Sequence, residues 1–243
     1  MDPGEAVTLA KRLDKQIKPV KAVGVVLCPP FVDLVPVAEA IKGSELKLGA
    51  QNAHYEDEGA FTGEIAPTML RGLADYVIVG HSERRIHAHE DDKLIASKVA
   101  AVLRNGLRPI LCVGDTLLER EHGLATKVVI DQLTADLSQV SEADLGEVIM
   151  AYEPVWAIGT GNFAKPSQVS PMVASIRHTI EELYGEGNGQ AVKLLYGGSV
   201  IPDNAKAYLE LEGVDGLLVG HDSLNYQQFG GIVATAQAVV TID

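Results

Sequence analysis

DYVIVGHSERRIHAHEDDKLIASKVAAVLRNGLRPILCVG, residues 75–114, decides the fold. Its ends, DYVIVG at 75–80 and RPILCVG at 108–114, are short apolar runs without the alternation of a half-solvated strand. Such runs suit parallel strands covered on both faces. Between them DDKLIASKVAAVLRNG carries apolar residues at helical spacing and stops at Gly106, where a C′ glycine belongs. A strand, a helix and a second strand of this kind form a parallel pair with a right-handed crossover.

The same rhythm continues in both directions. Further strands are expected at 21–27, 46–51, 147–153, 192–198 and 215–220, each followed by a helical stretch, with Gly43, Gly185 and Gly213 marking helix ends. At the start, MDPGEAVTLAKRLDKQIK reads as an amphipathic helix: Asp2 is an N-cap, Pro3 the first helical residue, and Ala6, Leu9, Ala10, Leu13 and Ile17 share a face. Seven strand–helix pairs behind one leading helix make a (β/α)8 count that lacks its first strand, with seven strands and eight helices. Residues 1–243 are therefore expected to form a single barrel domain, N-terminally incomplete. Either the barrel closes with seven strands, or a gap stays open between the strands at 21–27 and 215–220.

The chain is 47% hydrophobic and 22% charged, an ordinary globular composition. A net charge of -13 argues against a nucleic-acid or anionic-membrane surface, so any phosphate site must be local. Cys28 and Cys112 belong to no ligand pattern and read as core thiols in a reducing compartment. With no signal-like N-terminus and no spanning apolar run, a soluble cytoplasmic protein is expected.

In this architecture chemistry sits at the C-terminal ends of the strands. Those positions hold Gln51 and Asn52, His81 with Ser82 and Glu83, Glu153, Gly197 with Gly198 and Ser199, and Gly220 with His221. The glycine turns YGGSV and VGHDS follow the last two strands, where backbone N–H groups are able to approach a phosphate. Glu153 is followed at once by PVWAIGTG: Pro154 stiffens one end, Gly159 and Gly161 free the other, and Val155, Trp156 and Ile158 supply apolar cover. That is the composition of a hinged lid beside a carboxylate fit to act as a general base. The long loop GAQNAHYEDEGAFTGE at 49–64 is the exception to short connections and is expected to be functional.

AYEPVWAIGTG at 151–161, together with VGHSERR at 79–85, YGGSV at 196–200 and the loop at 49–64, closely resembles the triosephosphate isomerases. The resemblance implies a TIM (β/α)8 barrel that interconverts dihydroxyacetone phosphate and glyceraldehyde 3-phosphate through an enediolate, in glycolysis and gluconeogenesis, with no cofactor and no metal. It implies Glu153 as the base and His81 as the neutral electrophile. It assigns phosphate binding to Gly159, Ser199, Gly220 and His221, and supporting positions to Ser82 and Glu83. Thr62 in the long loop would reach into a partner subunit, which implies a homodimer. Two departures stand out. His221 occupies a position where the family turn has glycine, and no Asn-Trp-Lys, the family's first-strand ending, occurs in the sequence. The lysine of that motif contacts substrate, so the chain as written is expected to be an impaired isomerase, its first strand preceding Met1. The alternative is a non-catalytic descendant with a binding or scaffolding role.

Overall fold

The structure, a computed structural model, describes residues 1–18, 20–159 and 161–240. Its seven strands form one sheet, each parallel to the next in chain order: β1 (Val26–Leu27), β2 (Lys47–Ala50), β3 (Tyr76–Val79), β4 (Arg108–Asp115), β5 (Ile149–Pro154), β6 (Lys193–Tyr196) and β7 (Gly216–Leu217). Around it, in order, run α1 (Pro3–Ile17), α2 (Phe31–Ala40), α3 (Pro67–Leu70), α4 (Ser82–His87), α5 (Asp92–Arg104), α6 (Leu117–Glu121), α7 (Ala125–Asp136), α8 (Pro166–Tyr184), α9 (Asn188–Ala191), α10 (Pro202–Leu209) and α11 (Tyr226–Val240).

The eight expected helices are all present, and three short ones join them. The stretch after β4, which the strand–helix count leaves as one helix, is two, α6 and α7, because Gly123 takes φ +72° and ends the first. The short α4 and α9 are the other additions. The opening helix forms as expected, with Asp2 and Glu5 closing a reciprocal capping box.

Strand length falls toward the sheet edges. β4 pairs with β5 from Ile110–Ile149 to Asp115–Pro154, whereas β1 and β7 each make only a two-residue ladder. Among the described residues β1 and β7 share no ladder, so the gap stays open rather than closing with seven strands. The residues before β1, expected as strand from 21, instead donate the Lys21 and Ala22 N–H groups to the Gln237 side chain of α11 at 2.9 and 3.0 Å. Without a neighbour on that side, those donors are satisfied by a helix. α1 packs against both α2 and α11, so the helical layer is continuous where the sheet is not.

The central strands bury both faces, which is why they read as unbroken apolar runs. Val77, Val79, Leu111, Val113, Met150 and Tyr152 join the layer beneath the helices. Ile78, Ile110, Cys112 and Ala151 form a second cluster on the opposite face, with Cys28, Ile149, Leu195 and Leu218 against it.

Buried charge ties the loop after β2 to the helices after β3. Lys98 of α5 is only 3% exposed, and its Nζ donates to Glu90 Oε1 at 2.6 Å and Asn52 Oδ1 at 2.8 Å. Arg84 Nε meets the same Glu90 oxygen at 2.6 Å. Farther along the loop, Asp57 accepts from Arg104 and Asn105, and His54 packs between Tyr55 and Phe61. The long loop is thus built, not slack. Lys98→Met leaves the buried Glu90 with Arg84 alone and is expected to cost about 3 kcal/mol, read from urea unfolding with an unchanged m-value; a change under about 0.5 kcal/mol, the scale of a surface substitution, contradicts this role.

Candidate active site

The C-terminal ends of β3 and β5 meet. β3 turns sharply at Gly80, whose φ of +72° suits glycine, and His81 then caps α4. Arg85, one turn into that helix, fixes the corner: Nε donates to the Gly80 carbonyl at 2.8 Å and Nη2 to the Cys112 carbonyl at 3.0 Å. Its charge is answered by Asp92 at 2.6 Å and by the fully buried Asp136 at 2.5 Å. Even so, burial pushes the Asp136 carboxyl up to about 7. One arginine therefore ties the ends of two neighbouring strands and sets the direction in which His81 leaves them.

Glu153 arrives from β5 in register with Gly114 of β4. A Cβ at position 114 would lie 1.9 Å from the Glu153 carbonyl oxygen, so only glycine allows the strands to approach this closely. The Glu153 side chain is 2% exposed, with Oε1 2.9 Å from His81 Nε2 and Oε2 accepting the Ser82 N–H at 2.8 Å. His81 Nδ1 accepts the Glu83 N–H at 3.3 Å. This pattern assigns the proton of a neutral imidazole to Nε2, facing Glu153. Burial opposes charge on the ring, but the Glu153 carboxylate, helped by Glu83, outweighs it and holds His81 above its ordinary value.

Beyond Glu153 the chain makes a 3₁₀ turn over Val155–Ala157, passes Gly159 and Gly161 at φ +67° and +74°, and reaches Ala164 before α8; Thr160 lies outside the described residues. Ser199 Oγ donates to the Ala157 carbonyl at 2.6 Å, joining this segment to the turn after β6. In that turn Gly197 lies against Glu153, since a Cβ there would sit 3.2 Å from its Cγ. At Gly198 a Cβ would fall 2.2 Å from Tyr196 Oη.

The structure thus joins His81, Ser82, Glu153 and Gly197 directly, with Ser199 against the segment after Glu153. It leaves other expected residues apart. Glu83 Oε2 is 4.0 Å from His81 Nδ1 and largely exposed. Gly220 and His221 are exposed and open a short 3₁₀ turn, and Thr62 is exposed at the tip of the long loop. Gln51 donates to the Cys28 carbonyl, and Asn52 belongs to the Lys98 network. The supporting shell escaped sequence reading. Arg85 with Asp136 is one part of it. Another is the buried Asp115, which accepts from Tyr152 Oη at 2.7 Å and meets Arg120, whose guanidinium lies 4.7 Å from the Trp156 ring centroid. The one available signal was an isolated acid or base inside an apolar run. Among the described residues no His, Cys, Asp and Glu cluster fits a metal ion, and no helix is long and apolar enough to cross a membrane.

Glu153→Gln removes the principal cause that raises His81, so the histidine pKa is expected to fall, read from the imidazole resonances in an NMR titration. A group raised by folding lends stability that is full below its unfolded value of about 6.5 and is lost as pH rises through the folded one. That increment should be present in the unaltered chain and missing from the variant. An unchanged His81 titration would contradict the assigned cause.

Comparison with known proteins gives the same picture. The family model described as triosephosphate isomerase matches residues 1–236. The triosephosphate isomerase of Caldanaerobacter subterraneus subsp. tengcongensis is 47% identical over 232 residues, 95% of this chain and 93% of that protein. That of Carboxydothermus hydrogenoformans is 45% identical, covering 95% of this chain and 92% of the relative. Among solved structures, the triosephosphate isomerase of Bartonella henselae superimposes with a TM-score of 0.87 at 34% identity, over 96% of this chain and 93% of its own. Its strand order, the pairing of Glu153 with His81 and these matches along nearly its whole length make this chain a member of the triosephosphate isomerase family.

Proposed function

We propose that the chain interconverts dihydroxyacetone phosphate and glyceraldehyde 3-phosphate, an aldose–ketose isomerisation by proton transfer, with Glu153 as base and His81 as electrophile. These roles are the family's, carried to the matching residues. The observation that supports them here is the 2.9 Å contact between a nearly buried carboxylate at the end of β5 and a histidine just past β3, one strand away. Glu153 removes a proton from the carbon beside the substrate carbonyl, and His81, through Nε2–H, hydrogen-bonds the oxygen on which charge develops. When Glu153 takes that proton its negative charge disappears. The chief cause that raises His81 goes with it, and burial then favours the neutral ring that an electrophile of this kind needs.

The segment Pro154–Gly161 acts as the lid, with Gly159, Ser199, Gly220 and His221 around the phosphate and Ser82 and Glu83 supporting the His81 turn. The exposed Thr62 tip serves a second copy of the chain in a homodimer, and the protein works in the cytoplasm in glycolysis and gluconeogenesis. A weaker isomerase is expected of these 243 residues than of a family member that carries Asn-Trp-Lys, because that motif is missing from the sequence. The same observation favours the second reading, a descendant that binds triose phosphates without turning them over.

Exchange of carbon-bound hydrogen in dihydroxyacetone phosphate with deuterium oxide separates the two. Slow exchange that falls at least about a hundredfold in Glu153→Gln, the scale of a lost general base, is the expected result. Equal exchange in both proteins would overturn the role of Glu153. Binding without exchange in the unaltered chain would favour the non-catalytic reading.

A further inference from the structure

We propose that Asp136 of α7 is a positioning residue for His81 and acts on it through Arg85. The inference rests on the role proposed for His81 and adds a residue from outside the ring of strand ends. Asp136 is fully buried, and its Oδ2 accepts from Arg85 Nη2 at 2.5 Å. The same guanidinium holds the turn that carries His81, with Nε on the Gly80 carbonyl at 2.8 Å and Nη2 also on the Cys112 carbonyl at 3.0 Å. It lies against the turn itself, since a Cβ at Gly80 would sit 3.0 Å from Nη2. Arg85 Nη1 meets Asp92 at 2.6 Å, but that side chain is 40% exposed and screened by water. Asp136 is the unscreened counter-charge, and a planar fork fixed at one nitrogen is fixed at the others.

The charge on Asp136 carries the argument further. Its Oδ1 has no partner among the described residues, so a proton is accommodated there without breaking the Oδ2 contact. Burial raises the carboxyl to about 7 against the pull of Arg85, and Asp92 adds to the rise. Of the other elements packed against α7, β4 sets the Cys112 thiol toward Asp136, itself kept protonated by burial, and Tyr184 of α8 donates to the neighbouring Leu137 carbonyl. A group raised by folding lends stability below its unfolded value, about 3.9 for Asp, and that stability is lost as pH rises through the folded one. Above pH 7 the fold therefore keeps an ionised Asp136 that it would hold more stably as the neutral acid. Packing alone has no use for that charge; aiming Arg85 at the His81 turn does.

Asp136→Asn keeps the shape and removes the charge. Exchange of substrate hydrogen in deuterium oxide is expected to be about tenfold slower than in the unaltered chain at pH 8, the scale of one charged hydrogen bond. The difference should shrink to within about twofold at pH 6, where the unaltered Asp136 is mostly neutral as well, and the Tm of the variant at pH 8 should be no lower. The Arg85 Nε–H resonance in NMR should carry a step near pH 7 in the unaltered chain that the variant lacks. A rate ratio equal at both pH values with a lower Tm, the mark of a merely structural role, would overturn the proposal. So would an Arg85 resonance without that step. If the unaltered chain exchanges no substrate hydrogen, the isomerase reading fails, and the resonance, which needs no substrate, still decides whether Asp136 acts on Arg85.

Discussion

The ladder that joins β3, β4 and β5 is the constraint on which the rest of the site depends. Tyr76–Val79 lie beside Arg108–Leu111, and Ile110–Asp115 beside Ile149–Pro154, so the ends of β3 and β5 reach the same edge of the sheet across one intervening strand. Shifting β5 by one residue would turn Glu153 to the opposite face and put Tyr152 in its place. Register holds because each face of these strands is buried against a different layer, and because Gly114 admits the close approach that pairs it with Glu153. The Glu153–His81 contact is therefore a product of sheet packing. The open edge lies at β1 and β7, away from that ladder, and the helical layer of α11, α1 and α2 spans it.

Around the pair, charge is arranged in local, mutually compensating groups. The chain carries a net charge of -13, yet three buried acids around the site each face a base: Asp136 faces Arg85, Glu90 faces Lys98 and Arg84, and Asp115 faces Arg120. Removing one member of such a pair leaves a desolvated charge, which is why these groups fix geometry more firmly than surface ion pairs do. Glu153 differs from them. Its neighbours are the His81 ring, 2.9 Å away, and the Ser82 backbone N–H rather than a permanent cation.

The strand-end rule made most of this legible from residues alone. Central strands announced themselves because burial on both faces leaves an unbroken apolar run, as at 75–80 and 108–114. Helix ends were visible at Asp2 and Gly106 because capping chemistry is local. The edge strands were overestimated, since KAVGVVL and DGLLVG have strand composition but a partner on one side only, and pairing is a property of neighbours. The supporting polar shell was hidden for the same reason. Asp136 and Arg85 are 51 residues apart, and Tyr152 and Asp115 are 37 apart. Nothing in either local sequence encodes the other, so these pairs emerge only when the barrel brings helices and strand ends together.

In the proposed reaction Glu153 and His81 act as one unit because the β3–β5 register holds them in contact. A double-mutant cycle tests it most directly, with Glu153→Gln, His81→Gln and the combined variant compared by hydrogen exchange into dihydroxyacetone phosphate. Residues that work as a unit are strongly non-additive. The double variant should exchange no more slowly than Glu153→Gln alone. Losses that add in full would contradict the account.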